Sequence, residues 1–104
     1  MNHEEAVRAM VTRALEYADA KEHEMALIDE RPLEKSAAIQ RLVGTDNPET
    51  GKLHSGSSAE KVVESDALFL AHCVLQRQSV HATILARAQL DAAASRMRHL
   101  EDAK

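Results

Sequence analysis

The chain has 104 residues, of which 44% are hydrophobic and 29% are charged, and its formal net charge is −4. Eighteen residues are alanine and only two are aromatic, which indicates one domain with a thin core and disfavours a stacking platform for single-stranded nucleic acid. No apolar run approaches the roughly eighteen residues needed for a membrane-spanning helix, so no membrane partner is expected.

The first helix is predicted over residues 3–29. Asn2 and Glu5 form a pattern typical of a helix start, because the side chain of each can bond the backbone N–H of the other. Apolar residues then recur at steps of three and four, as on one face of a helix. They are Val7, Val11, Ala14, Ala18, Met25 and Ile28. This face is interpreted as a seam for another helix.

A break is predicted at Glu30 to Pro32, because proline removes a helical hydrogen bond and clashes one turn back. A short helix is expected over about 32–43, with Gly44 as its C-terminal stop. Residues 44–57 are rich in turn-forming residues and predict a polar loop.

A long third helix is predicted over about 58–102, because no glycine or proline occurs from Ser57 to Lys104. Ser57 and Glu60 have the spacing of a capping box at its start. An apolar row follows, flanked by a second one, which is typical of a helix with two neighbours. The row supplies the predicted self-association seam: Val63, Leu70, Val74, His81 and Ile84.

These elements predict an all-α fold comprising residues 1–104 as a single helical domain. We expect an elongated helical bundle, or an antiparallel coiled-coil-like hairpin, with one very long C-terminal helix. At about 1.5 Å per residue that helix is too long to pack within a compact monomer of this size. The sequence therefore predicts a homodimer that associates through its long helices.

The polar loop is the first candidate for partner binding, because loops of this length are often functional. Its polar side chains predicted to contact an unknown protein partner are Asn47, Glu49, Lys52 and His54.

The C-terminal part of the chain is locally basic. Residues 72–99 contain four arginines and one acidic residue, and Arg77, Arg87 and Arg98 lie within about 100° of one helix face. Such a face can contact phosphates, which need only cationic side chains on a rigid element. A solvated face, or ion pairs to the acidic first helix of a neighbouring chain, is the other interpretation.

No catalytic, cofactor or metal site is predicted. Gly44 and the Gly51-Lys52 pair do not match a phosphate-binding loop, because six residues separate the glycines and Leu53 replaces the hydroxyl residue. The six histidines lack the spacing of a metal motif. The lone Cys73 cannot form an intramolecular disulfide, and the N-terminus lacks the pattern of a signal peptide. A cytoplasmic location is expected.

The segment TDNPETGKLHSGSSAEK, residues 45–61, resembles a loop and helix start found in small helical phage and prophage proteins of no assigned activity. The resemblance covers seventeen residues and implies an accessory role. It carries no catalytic residues. Taken with the helical pattern, it favours a non-enzymatic protein-protein interaction or assembly protein, with a nucleic-acid accessory protein as the alternative.

Overall fold

The computed structural model describes residues 2–102 and confirms an all-α protein with a very long C-terminal helix. The predicted domain also included Met1, Ala103 and Lys104, which lie outside the described residues. In chain order the elements are α1 (His3–Leu42), β1 (Asp46–Asn47), β2 (Lys52–Leu53), α2 (Gly56–Lys61), a 3-10 turn (Val63–Ser65) and α3 (Ala67–Asp102).

The predicted break at Pro32 is wrong, because α1 continues through it from His3 to Leu42. Proline leaves the carbonyl of Ile28 without its helical donor. The helix survives because it is held on both sides of Pro32: Leu27 and Ala38 are buried, and the Leu27 carbonyl accepts a hydrogen bond from His72 Nε2 at 3.1 Å. Packing thus overrides the local cost of the proline.

The long helix begins later than predicted. Ser55, not Ser57, caps α2 and forms a capping box with Ser58, and α2 ends at Lys61. The chain then makes the 3-10 turn before α3 starts at Ala67. Asp66 explains the new start, since its carboxylate accepts a hydrogen bond from the Phe69 N–H at 2.9 Å, which is the contact of an N-cap.

Where the sequence predicted one domain, the described residues form two compact units. One comprises the chain up to Met25 together with the chain from Gln78 onwards, and the other is Ala26–Arg77. We call them the terminal unit and the central unit and describe each by itself.

The terminal unit pairs the start of α1 with the C-terminal part of α3. Arg13 donates a hydrogen bond to the Gln89 side chain at 3.2 Å, and Thr83 donates one to the Ala20 carbonyl at 3.3 Å. As residue numbers rise along α1, those of their partners fall along α3, so the two segments are antiparallel.

Among the described residues, the largest fully buried side chain belongs to the central unit. Phe69 is 2% exposed and packs with Ala38 and Val63, and the guanidinium of Arg31 lies 5.5 Å from its ring centroid. A bidentate ion pair joins Arg41 to Asp66 at 2.9 and 2.8 Å. The residue that caps α3 is thereby tied to the end of α1.

We expect this ion pair to make the free energy of unfolding depend on pH in the acidic range. The Arg41 hydrogen bond and the Phe69 N–H lower the pKa of Asp66 from 3.8 to about 2. A carboxyl group whose pKa is lower in the folded than in the unfolded chain stabilises the folded state at any pH above its unfolded pKa. The contribution of Asp66 to the free energy of unfolding is therefore complete above about pH 4 and is lost as the pH falls towards 2. Thermal unfolding followed by circular dichroism across this range measures it.

The informative variant is Asp66→Asn, which retains an N-cap side chain but carries no charge. We expect its unfolding temperature to fall by about 5 °C at pH 7 and to vary less between pH 4 and 2 than that of the parent chain. Glu64→Gln is the matched control, because it removes a carboxylate from an exposed position nearby. If the stability of Asp66→Asn depended on pH as strongly as that of the parent chain, the acid dependence could not be assigned to the Asp66 carboxylate.

Candidate interaction surfaces

The face of α3 that packs within the protein is marked by residues spaced alternately by three and four. Every one of them is buried or half-buried. We call them the inner row: Phe69, His72, Gln76, Ser79, Thr83, Ala86, Leu90, Ala93, Met97 and Leu100. Contacts to α1 start from this row in both units, as the hydrogen bonds of His72 and Thr83 show. The inner row is therefore the face of α3 that covers α1.

The predicted self-association seam lies on the opposite face of α3. The exposed residues of this seam, together with the α3 residues that continue its three-and-four spacing, are called the outer row. They are Ala67, Leu70, Val74, Arg77, His81, Ile84, Ala88 and Asp91. Leu70 is 48% exposed, Val74 37% and Ile84 62%. All eight positions are classed as exposed, so within one chain the row remains available to solvent.

Val63 does not belong to this surface, which corrects the predicted seam. It lies in the 3-10 turn before α3 begins and is 6% exposed against Ala38 and Phe69. The helix break at residues 62–66 removes it from the register of the outer row. Its role is to fill the core of the central unit.

In the terminal unit the large apolar members of the inner row are half-buried, whereas its fully buried members are small. In the described part of the terminal unit the buried hydrophobic residues are all alanines, namely Ala6, Ala86 and Ala93. Ser79 and Thr83 are also buried there, and the Ser79 hydroxyl finds no hydrogen-bond partner among the described atoms. Burying alanine methyls contributes much less than burying leucine or isoleucine, so this packing alone is weakly stabilising.

Part of the apolar face predicted on α1 is also turned outward. Val11 is 49% exposed and Met25 54%, and Leu15 beside them is 63% exposed. The residues of α1 that are buried or half-buried in the terminal unit include Ala6, Met10, Arg13, Tyr17 and Ala20. The predicted seam of α1 is therefore not the face that meets α3.

The segment predicted as a polar loop contains a short antiparallel hairpin. Asp46 pairs with Leu53 and Asn47 with Lys52. Gly51 has φ +69° at the turn, a conformation in which a side chain would be strained. The N–H of Gly51 donates to the Asn47 carbonyl at 2.9 Å, which closes the turn.

Two of the four residues predicted as partner contacts are buried in the central unit. The Asn47 side chain accepts a hydrogen bond from the Glu49 N–H at 3.1 Å, and the His54 ring lies 3.0 Å from the Ser58 hydroxyl. Both residues are only 9% exposed, so they hold the hairpin in shape. Glu49 and Lys52 are exposed and remain available to a partner.

A groove of about 510 Å³ lies between the hairpin, α2 and the 3-10 turn in the central unit. It brings together three of the predicted loop residues, Asn47, Glu49 and His54, and adds Ser58 and Lys61 from α2. The last two were missed from sequence, because only the observed fold brings α2 against the hairpin. Acidic, basic and hydroxyl groups thus line one concave surface.

The histidine and serine in this groove are engaged in local structure. Nucleophilic catalysis needs a hydroxyl that the neighbouring base can deprotonate. Here the Ser58 hydroxyl accepts the Ser55 N–H at 2.9 Å and completes the α2 capping box. The pair is explained by its role in starting α2.

The three predicted phosphate-contacting arginines differ in environment. Arg77 belongs to the outer row, and Arg98 is exposed near the end of α3. Arg87 forms an ion pair with Asp91 at 3.2 Å, and its guanidinium lies 5.4 Å from the Tyr17 ring centroid. The charge of Arg87 is therefore partly offset within the chain.

Neither a metal site nor a membrane span is found in the part of the chain that the structure describes. Among residues 2–102, no three His, Cys, Asp or Glu side chains group closely enough to hold a metal ion. No helix within the same residues has the length and apolar character needed to cross a membrane.

Comparisons with protein-family models, with curated proteins and with solved structures find no match to this chain.

Proposed function

We propose that this protein is a non-enzymatic interaction or assembly protein that associates with a second copy of itself through the outer row of α3. The observation that carries the proposal is the placement of Leu70, Val74 and Ile84, which face away from α1 and are exposed in the single chain. Exposed apolar side chains at regular helical spacing are typical of a helix that packs against a partner helix.

The energetics support association. Fully burying a leucine, isoleucine or valine side chain contributes about 1.5–3 kcal/mol. In the terminal unit the chain buries alanine, serine and threonine internally and leaves Ile84 and Leu85 about 60% exposed. A second copy that covers the outer row would bury exposed apolar side chains such as Ile84.

We further propose that the assembled protein presents the hairpin of the central unit to a protein partner in the cytoplasm. Glu49 and Lys52 are exposed on it, and the groove beside it is also lined by residues of α2 and the 3-10 turn. The resemblance of residues 45–61 to phage proteins of no assigned activity supports an accessory role.

The test compares charged substitutions on and off the outer row. We expect the double variant Leu70→Glu and Ile84→Glu to be monomeric by light scattering, because association would bury four carboxylates. Its dissociation constant should rise at least about 100-fold, equivalent to roughly 3 kcal/mol.

Leu53→Glu is the matched control, since Leu53 and Ile84 are both 62% exposed and Leu53 lies on the hairpin. We expect this control to associate like the parent chain. Equal association of all three chains would contradict the proposal. A parent chain that stays monomeric but binds duplex DNA with steep salt dependence would instead favour phosphate contacts by Arg77, Arg87 and Arg98.

A further inference from the structure

We infer that the second copy packs its α3 antiparallel to the first, around a two-fold axis at the level of Ser79. This inference rests on the proposed self-association and specifies its geometry. The whole outer row lies on α3, one continuous helix from Ala67 to Asp102, so the spacing of its residues is set by helix geometry alone.

The order of residues in the outer row is nearly symmetric about position 79. Val74 and Ile84 lie five residues to either side, and Leu70 and Ala88 lie nine to either side. An antiparallel pair therefore places Val74 against Ile84 of the second copy and Leu70 against its Ala88. Val80 is 37% exposed beside the row and would approach Val80 of the second copy near the axis. Every apolar member between Leu70 and Ala88 thereby meets an apolar member.

Other alignments of the same two helices oppose less compatible side chains. A parallel pair in register matches the apolar residues, but it places Arg77 directly against Arg77 of the second copy, and like charges at such positions are destabilising. An antiparallel pair displaced by one heptad places Val74 against Arg77 and Leu70 against His81. The displaced pair would thus bury apolar residues against a cation and a histidine, so the alignment about Ser79 is favoured.

At the centre of the favoured alignment, Arg77 of each copy lies opposite His81 of the other. A neutral imidazole has one nitrogen that can accept a hydrogen bond from the guanidinium, whereas a protonated imidazole has only donors. The groups facing His81 are Arg77 one turn away on its own helix and the Arg77 and His81 of the second copy. The inner row, and with it α1, lies on the opposite face of α3.

A permanent cation at position 81 would therefore gather four positive charges at the axis and should weaken the antiparallel pair. A two-fold arrangement uses the same surface on both chains, so it closes as a dimer and does not extend into a filament.

Disulfide trapping of the full chain tests the alignment. In a Cys73→Ser background, one chain carries Val74→Cys and a differently tagged chain carries Ile84→Cys. We expect oxidation of the mixture to join the two different chains. Each variant alone should give little disulfide, because its cysteines would be about 15 Å apart along the helices, whereas a disulfide requires Cα atoms within about 7 Å.

Efficient linkage of Val74→Cys chains to one another would overturn the antiparallel alignment while leaving self-association intact. Failure of the proposed function is recognised separately, since the unmodified chain would then be monomeric by light scattering at every concentration. The Leu53→Cys chain, mixed with Ile84→Cys in the same background, measures random collision and should give no specific linkage.

The central pairing is tested by measuring the dimer dissociation constant of two variants at neutral pH. We expect His81→Lys to raise the constant about tenfold over the parent chain, because four fixed cations would then lie at the axis. His81→Gln should leave it near the parent value, because the amide oxygen still accepts from Arg77. An equal rise in both variants would contradict the opposition of Arg77 and His81.

Discussion

The structure depends on which face of α3 covers α1. In the terminal unit the buried members of the inner row are small, such as Ser79, Thr83 and Ala86, while the large apolar members of the outer row are exposed. Small side chains let two helices approach closely, but they contribute little hydrophobic free energy. The internal packing therefore sets the antiparallel arrangement within the terminal unit and leaves the apolar residues Val80, Ile84 and Leu85 exposed.

The central unit balances this weakness with a denser set of interactions. Phe69 fills its core, and the carboxylate of Asp66 both caps α3 and pairs with Arg41 at the end of α1. These contacts determine where α3 begins and hold the turn that supports the hairpin. The groove beside Glu49 is therefore built on ordered elements, and its shape depends on residues that would not themselves touch a partner.

The sequence predicted the helical fold and the exposed apolar row, because both follow from local spacing. It did not reveal the inner row, since residues such as Gln76, Ser79 and Thr83 carry no hydrophobic signal. The break before α3 was missed because its cause, the pairing of Asp66 with Arg41, joins residues 25 positions apart. The prediction of loop residues was partly wrong for a similar reason: the burial of His54 depends on α2, which sequence spacing does not position.

The central claim is that the outer row of α3 is covered by a second copy. The most direct test is the absolute molar mass of the unmodified chain, measured by light scattering over a concentration series at neutral pH with helicity followed in parallel. The account predicts a folded, mainly helical species of twice the 11.5 kDa chain mass that dissociates on dilution. A species of 11.5 kDa with the same helicity at every concentration would contradict it.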